Sequence, residues 1–254
     1  MTDIEKAANI IKDIAEKNPE ATKELGKTAV TLTKAINVAL APISLVVWGY
    51  DKISDFLQKK LADKLNNIPE ENIVTPPINI AGPTIEAMRF TGENDILREM
   101  YANLLATSMN IKTTDKAHPR YIEVIKNITK DEALILRSFI KSDVYPSIRL
   151  KKISNTITKS YSIIMNNYTN IFEKLDVDRK NLLIYFDNLS YLGIITINYN
   201  ERINNEDLYN KLLATSDIKE LIKGLEDHKI EYELEKGYIS LTEFGKNFIK
   251  NVVN

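Results

Sequence analysis

The chain contains no cysteine. Disulfide frameworks and thiolate metal sites are therefore excluded, and a reducing cytoplasm suits the composition. It has two histidines among 254 residues, His118 and His228. A His-rich metal site cannot form, and a Ser-His-Asp arrangement would have to rest on one of the pair. Glycine is scarce at eight. Neither G-x-G-x-x-G nor a P-loop pattern occurs, which removes the usual phosphate-cradling loops. The formal net charge is −1, so no overall field draws the chain to nucleic acid or anionic lipid. The N-terminal stretch lacks the basic-then-apolar order of a signal peptide. No cofactor is implied.

What is present is ordinary globular composition, 44% hydrophobic and 27% charged, at a length that commonly divides into two units. The expected division is residues 1–128, helical, and 129–254. Ile4, Ala7, Ala8, Ile11 and Ile14 recur at helical spacing. The segment Ala35–Tyr50 carries no charge but is interrupted by Asn37, Pro42 and Ser44. A membrane span needs about 20 apolar residues. Two readings stay open for it: a buried helix kinked at Pro42, or a surface around Leu45, Val46, Val47 and Trp48 that meets a membrane or a partner. An amphipathic helix is expected over 51–65. Pro69, Pro76, Pro77 and Pro83 make 66–83 a connector, followed by a short helix over 84–90. The best amphipathic pattern is 94–109, with Leu97, Met100, Tyr101, Leu104 and Leu105 on one face.

Candidate chemistry is thin. His118 precedes Pro119, a favourable first helical position, and reads as a helix-start residue. Asp95 and Glu99 share a helix face, but with Arg98 beside them they read as solvated charges. Thr129 and Glu132 have capping-box spacing. From Val144 to Phe172 there is no acidic residue, while Arg149, Lys151, Lys152 and Lys159 are interleaved with Tyr145, Tyr161 and Tyr168. With Arg179 and Lys180, these form a candidate nucleic-acid surface, because phosphate contact needs cations and hydroxyl donors.

Near the C-terminus, "NLSYLGII" followed by "GYISLTEFGKNF" resembles a winged-helix domain. The residues read as a small sheet near 194–198, 229–235 and 238–241 with a turn at Lys236-Gly237, and an inserted helix over about 206–226 departs from the simplest winged helix. The expected fold is mainly α, with a small winged-helix-like α+β C-terminal unit. In the centre, "PPINIAGPTIEAMRFTGENDILREMYANLLATSMN" and "AHPRYIEVIKNITKDEALIL" resemble the abortive infection alpha family over about residues 70–140. Membership implies a role in stopping bacteriophage propagation and carries over no catalytic residue. The expectation is a non-enzymatic cytoplasmic defence protein that binds a protein partner or itself, or disturbs a host component. A nucleic-acid-binding regulator is the alternative. A membrane-acting toxin using residues 35–50, peripherally associated with the bilayer, is a further one.

Overall fold

The computed structural model describes residues 50–91, 94–155, 157–158, 160–171 and 175–254. The chain divides into two compact units, Met1–Lys126 and Asn127–Asn254.

In the first unit, α1 (Tyr50–Leu65) buries Leu57, Leu61 and Leu65, a one-face stripe at four-residue spacing. α2 (Ile78–Thr91) passes through Pro83. A helix was expected only after that proline. Gly82 before it explains the continuity, because a glycine has no Cβ to clash with the proline ring. α3 (Asp95–Ser108) is capped by Asn94, whose Oδ1 accepts from the N–H groups of Ile96 (3.1 Å) and Leu97 (3.3 Å). Leu97, Met100, Tyr101, Leu104 and Leu105 are buried, as the periodicity requires. Glu99 receives Lys60 at 3.0 Å and Lys64 at 2.5 Å, fastening α1 to α3. α4 (Arg120–Lys126) turns Tyr121, Ile122, Val124 and Ile125 inward. Across the connector, Val74 N–H donates to Met109 O (2.8 Å) and Ile111 N–H to Asn72 O (2.9 Å).

The second unit opens with α5 (Lys130–Ser138), which carries the complete capping box: Thr129 Oγ1 accepts from Glu132 N–H at 3.2 Å, and Glu132 Oε2 accepts from Thr129 N–H at 2.6 Å. Then come β1 (Val144–Asn155) and β2 (Ser160–Tyr168). α6 (Leu182–Tyr191) ends before Gly193, whose φ of 76° favours a residue without Cβ. β3 (Ile195–Asn198) follows, then α7 (Glu206–Leu213), α8 (Ser216–Asp227), β4 (Tyr232–Leu241) and α9 (Glu243–Phe248). The four strands form one antiparallel sheet in the order β2-β1-β4-β3.

This sheet overturns the expectation of a mainly α protein with a small winged-helix unit. The basic stretch that begins at Val144, read from sequence as a candidate nucleic-acid surface, contributes the long β1–β2 hairpin. Its Ile148 and Leu150 alternate with Arg149 and Lys151, which is strand periodicity. The expected hairpin at Lys236-Gly237 does not exist either. β4 runs straight through both residues, pairing Lys236 with Ile148 and Gly237 with Ser147. The inserted helix is two helices, α7 and α8. They cover one face of the sheet, where Ile148 packs with Tyr209, Leu212 and Ile218, and Leu234 and Met165 flank them.

Candidate functional site

The opposite face of the sheet carries the polar chemistry. In register, Ser147 lies beside Gly237, Arg149 beside Glu235 and Lys151 beside Glu233. Side chains directly opposite in an antiparallel pair share a face. Arg149 Nε donates to Glu235 Oε2 at 2.6 Å, and Lys151 Nζ donates to Glu235 Oε1. Burial alone would raise the Glu235 pKa. The hydrogen bonds and charges of Lys151 and Arg149 outweigh it and hold the carboxyl below its ordinary value. Lys151 also sits 4.3 Å from the Tyr161 ring centroid, a cation–π contact.

Tyr199 is the hub. β3 stops at Asn198, whose Oδ1 accepts from Asn200 N–H at 2.8 Å and Glu201 N–H at 3.3 Å. This Asx turn folds the chain back over the sheet. The Tyr199 ring then lies 4.1 Å from the Arg149 guanidinium carbon. Its hydroxyl donates to Asn167 Oδ1 at 3.1 Å, accepts from Asn167 N–H at 3.2 Å and lies 2.8 Å from Ser147 Oγ. Asn167 has a φ of 54°, a left-handed conformation that Asn tolerates better than most residues. Burial pushes the Tyr199 phenol up, against the hydrogen bonds from Ser147 and Asn167 and the Arg149 charge. Gly237 makes room for the fold-back. A Cβ there would stand 2.1 Å from Asn198 O and 2.6 Å from Tyr199 Cδ1.

The same turn leaves a gap in the sheet. β3 pairs with β4 only from Tyr238 to Leu241. From Tyr232 to Lys236, the edge of β4 away from β1 has no strand partner among the described residues. An open cleft of about 730 Å³ lies there, between Tyr199–Arg202 and Glu233–Lys236. Close by, Glu206 binds Lys236 and lies 4.0 Å from Arg202. The Lys236 hydrogen bond holds the Glu206 carboxyl below its ordinary value. Tyr209 donates to Gly237 O and accepts from Ile203 N–H, both at 2.9 Å. Glu201 Oε2 accepts from Tyr238 Oη at 3.0 Å. Glu233 is exposed and has no ion-pair partner among the described residues.

Of the residues proposed from sequence for phosphate contact, Arg149 and Lys151 do come together, but both are committed to Glu235. Lys152 is exposed on the other face of β1. Lys180 is exposed on the 3₁₀ turn before α6 rather than on the hairpin. Lys159 and the Arg179 side chain lie outside the described residues. So do Leu45, Val46, Val47 and Trp48, with nearly all of the apolar segment 35–50. No helix among the described residues is long and apolar enough to cross a membrane. His118 is exposed, and its Nδ1 accepts from Arg120 N–H at 3.1 Å, the geometry of a helix start. Asp95 binds Arg98 while Glu99 binds the two lysines, so this carboxylate pair is divided between different cations. Among the described residues, no three His, Cys, Asp or Glu side chains are grouped to hold a metal.

The family model described as abortive infection alpha matches residues 49–252. The chain belongs to the abortive infection alpha family. The match extends well beyond the central segment in which the resemblance was visible, and it takes in the whole sheet and the cleft. Membership assigns a role in abortive infection, a response to bacteriophage. Among curated proteins, a trigger factor of Streptococcus mutans serotype c is 27% identical over 153 residues, which is 58% of this chain and 36% of that protein. The chain thus spans about a third of that relative's length. Among solved structures, an uncharacterized protein from the marine bacterium Alcanivorax borkumensis SK2 aligns over 53% of this chain and 93% of its own. It is 12% identical with a TM-score of 0.36, too low to establish a common fold.

Proposed function

We propose that this abortive infection alpha protein defends against phage by binding a protein partner, with no chemistry of its own. What supports this reading is the state of the reactive side chains at the cleft. Ser147 is fully buried against Tyr199, and the Glu235 carboxylate is shared by Arg149 and Lys151. The Tyr199 and Tyr209 hydroxyls are both bonded within the protein. A general base or nucleophile must be able to reach its substrate, and these groups are turned to internal work. The open feature is main chain, the edge of β4. The cytoplasm is the proposed site of action.

The test is a plaque assay on cells carrying wild type, Ser147→Ala, Tyr199→Phe or His118→Ala. Ser147→Ala and Tyr199→Phe each remove a hydroxyl with little change of shape, and His118→Ala removes an exposed imidazole. Protection is expected to persist in every variant that keeps its circular dichroism spectrum. Loss of protection in a folded, normally abundant variant would replace the binding reading with a catalytic one.

A further inference from the structure

We infer that the cleft beside β4 is a slot for one extended segment of a partner protein, which adds as a strand to β4 and sets a basic residue beside Glu233. The inference rests on the binding reading above and supplies the partner's chemistry. Three observations meet at this place. The first is the main chain of Tyr232–Lys236, unpartnered by any strand among the described residues on the side away from β1. Unpaired edge groups are a template for another strand. The second is the space, about 730 Å³ and open to solvent, lined by Tyr199–Arg202 on the other side. An added strand would occupy the line that β3 vacates when Asn198 turns the chain.

The third observation is charge. An added strand sets its side chains alternately beside Glu233 and Glu235 on one face, and beside Leu234 and Lys236 on the other. Glu235 is held between Arg149 and Lys151, and Lys236 binds Glu206. Glu233 is exposed with no ion-pair partner among the described residues. Glu201 takes the Tyr238 hydroxyl and the Asn198 amide on the face of Tyr238 and Lys236, where Glu201 and Glu206 stand against Arg202 and Lys236. The one carboxylate without an ion pair on the first face is Glu233, while Leu234 offers apolar surface on the other. A segment with Lys or Arg beside Glu233 and Val or Ile beside Leu234 fits both. The outer edge of β2 is a poorer template, because its register with β1 slips on both sides of Leu150. Such bulges twist an edge away from further pairing.

The experiment titrates the isotope-labelled full chain with the synthetic peptide acetyl-TKVKVT-amide and follows backbone amides by NMR. Shifts are expected to cluster on Glu233–Lys236 and Tyr199–Arg202. The glutamate counterpart, acetyl-TEVEVT-amide, is expected to bind about threefold more weakly, the scale of one cross-strand ion pair. Glu233→Gln should remove that preference and Glu233→Lys should reverse it. Two N-methylated forms of the lysine peptide, blocked in alternate frames, separate strand addition from side-chain contact. One frame should abolish binding and the other should keep it, because successive N–H groups point to opposite sides of a strand. No shifts at Glu233–Lys236 with millimolar peptide would overturn the proposal. Equal loss in both frames, or a charge preference unmoved by Glu233→Lys, would overturn it too. Failure of the slot leaves the plaque results of Ser147→Ala and Tyr199→Phe untouched, so the two readings fail separately.

Discussion

Gly237→Ala puts the packing of the site to a direct test. The new methyl carbon would lie 2.1 Å from Asn198 O and 2.6 Å from Tyr199 Cδ1. Contacts under 3.0 Å do not survive, so something must move. Asn198 O is main chain, fixed by the pairing of Asn198 with Tyr238. Forcing the strands apart costs about 1–3 kcal/mol as overpacking. Swinging Tyr199 away leaves the buried Ser147 hydroxyl and the Asn167 N–H without their partner, at about 1–3 kcal/mol for each unsatisfied group. The cheaper route sets the loss at about 2 kcal/mol, with a fall in Tm of about 5–10 °C for a unit of this size. Scanning calorimetry of the full chain reads it out. The control is Gly224→Ala in the middle of α8, where an added Cβ meets nothing within 4 Å. That change should stabilise by about 0.5–1 kcal/mol, the helix preference of alanine over glycine. Were Lys236-Gly237 a simple turn, Gly237→Ala would cost little. A Gly237→Ala protein within about 0.5 kcal/mol of wild type would refute the fold-back of Tyr199 as the reason for the glycine.

Other outcomes follow from the same contacts. Glu235 has a folded pKa below its ordinary value of 4.5, so its contribution to stability is full above that pH and is lost as pH falls through the lower folded value. Glu235→Gln should therefore flatten the acid limb of the stability–pH profile, and an unchanged limb would count against the Arg149–Glu235–Lys151 cluster. Glu99 shifts in the same direction in the first unit, so the comparison must be between variants rather than between pH values alone. Thr129→Ala should cost about 1 kcal/mol in urea unfolding, the value of a helix cap. A nucleic-acid role is best tested at Lys152, because charge reversal at Arg149 or Lys151 would also disrupt Glu235. The binding reading expects no salt-sensitive retention of wild type on DNA, and retention that Lys152→Glu abolishes would contradict it.

Elements whose determinants are local were legible in the sequence. α3 announces itself by its apolar stripe and its Asn94 cap, α5 by Thr129 and Glu132, and α9 by Thr242, whose Oγ1 accepts from Gly245 N–H at 2.9 Å. The family was legible too, from the central helices. The sheet was not, and the reason is physical. Arg149 reads locally as a free cation, yet its partner Glu235 lies 86 positions away along the chain. Lys236-Gly237 reads locally as a turn, but the glycine answers to Tyr199, brought over it by a turn in another strand. Pro83 reads as a helix breaker, and α2 nonetheless continues through it. Tyr199, Ser147 and Asn167 carry no signal of their own, since each gains meaning only when β1, β2 and β3 are assembled.

That assembly also bears on why an open edge persists. Exposed strand edges invite unwanted pairing, and charges are the usual protection. Along the open part of β4 stand Glu233, Glu235 and Lys236. Two of the three are paired with neighbours, Glu235 with the cations of β1 and Lys236 with Glu206 of α7. Paired charges deter an incoming strand far less than free ones, so protection falls mainly to Glu233 and to the wall formed by Tyr199–Arg202. Protection alone would be served equally by a lysine or a glutamate at 233. Docking of a basic segment would not, because a lysine there repels it. Glu233→Lys should therefore leave solubility and thermal stability near wild type while it reverses the peptide preference. A soluble Glu233→Lys protein whose peptide preference is unchanged would instead assign the residue to edge protection.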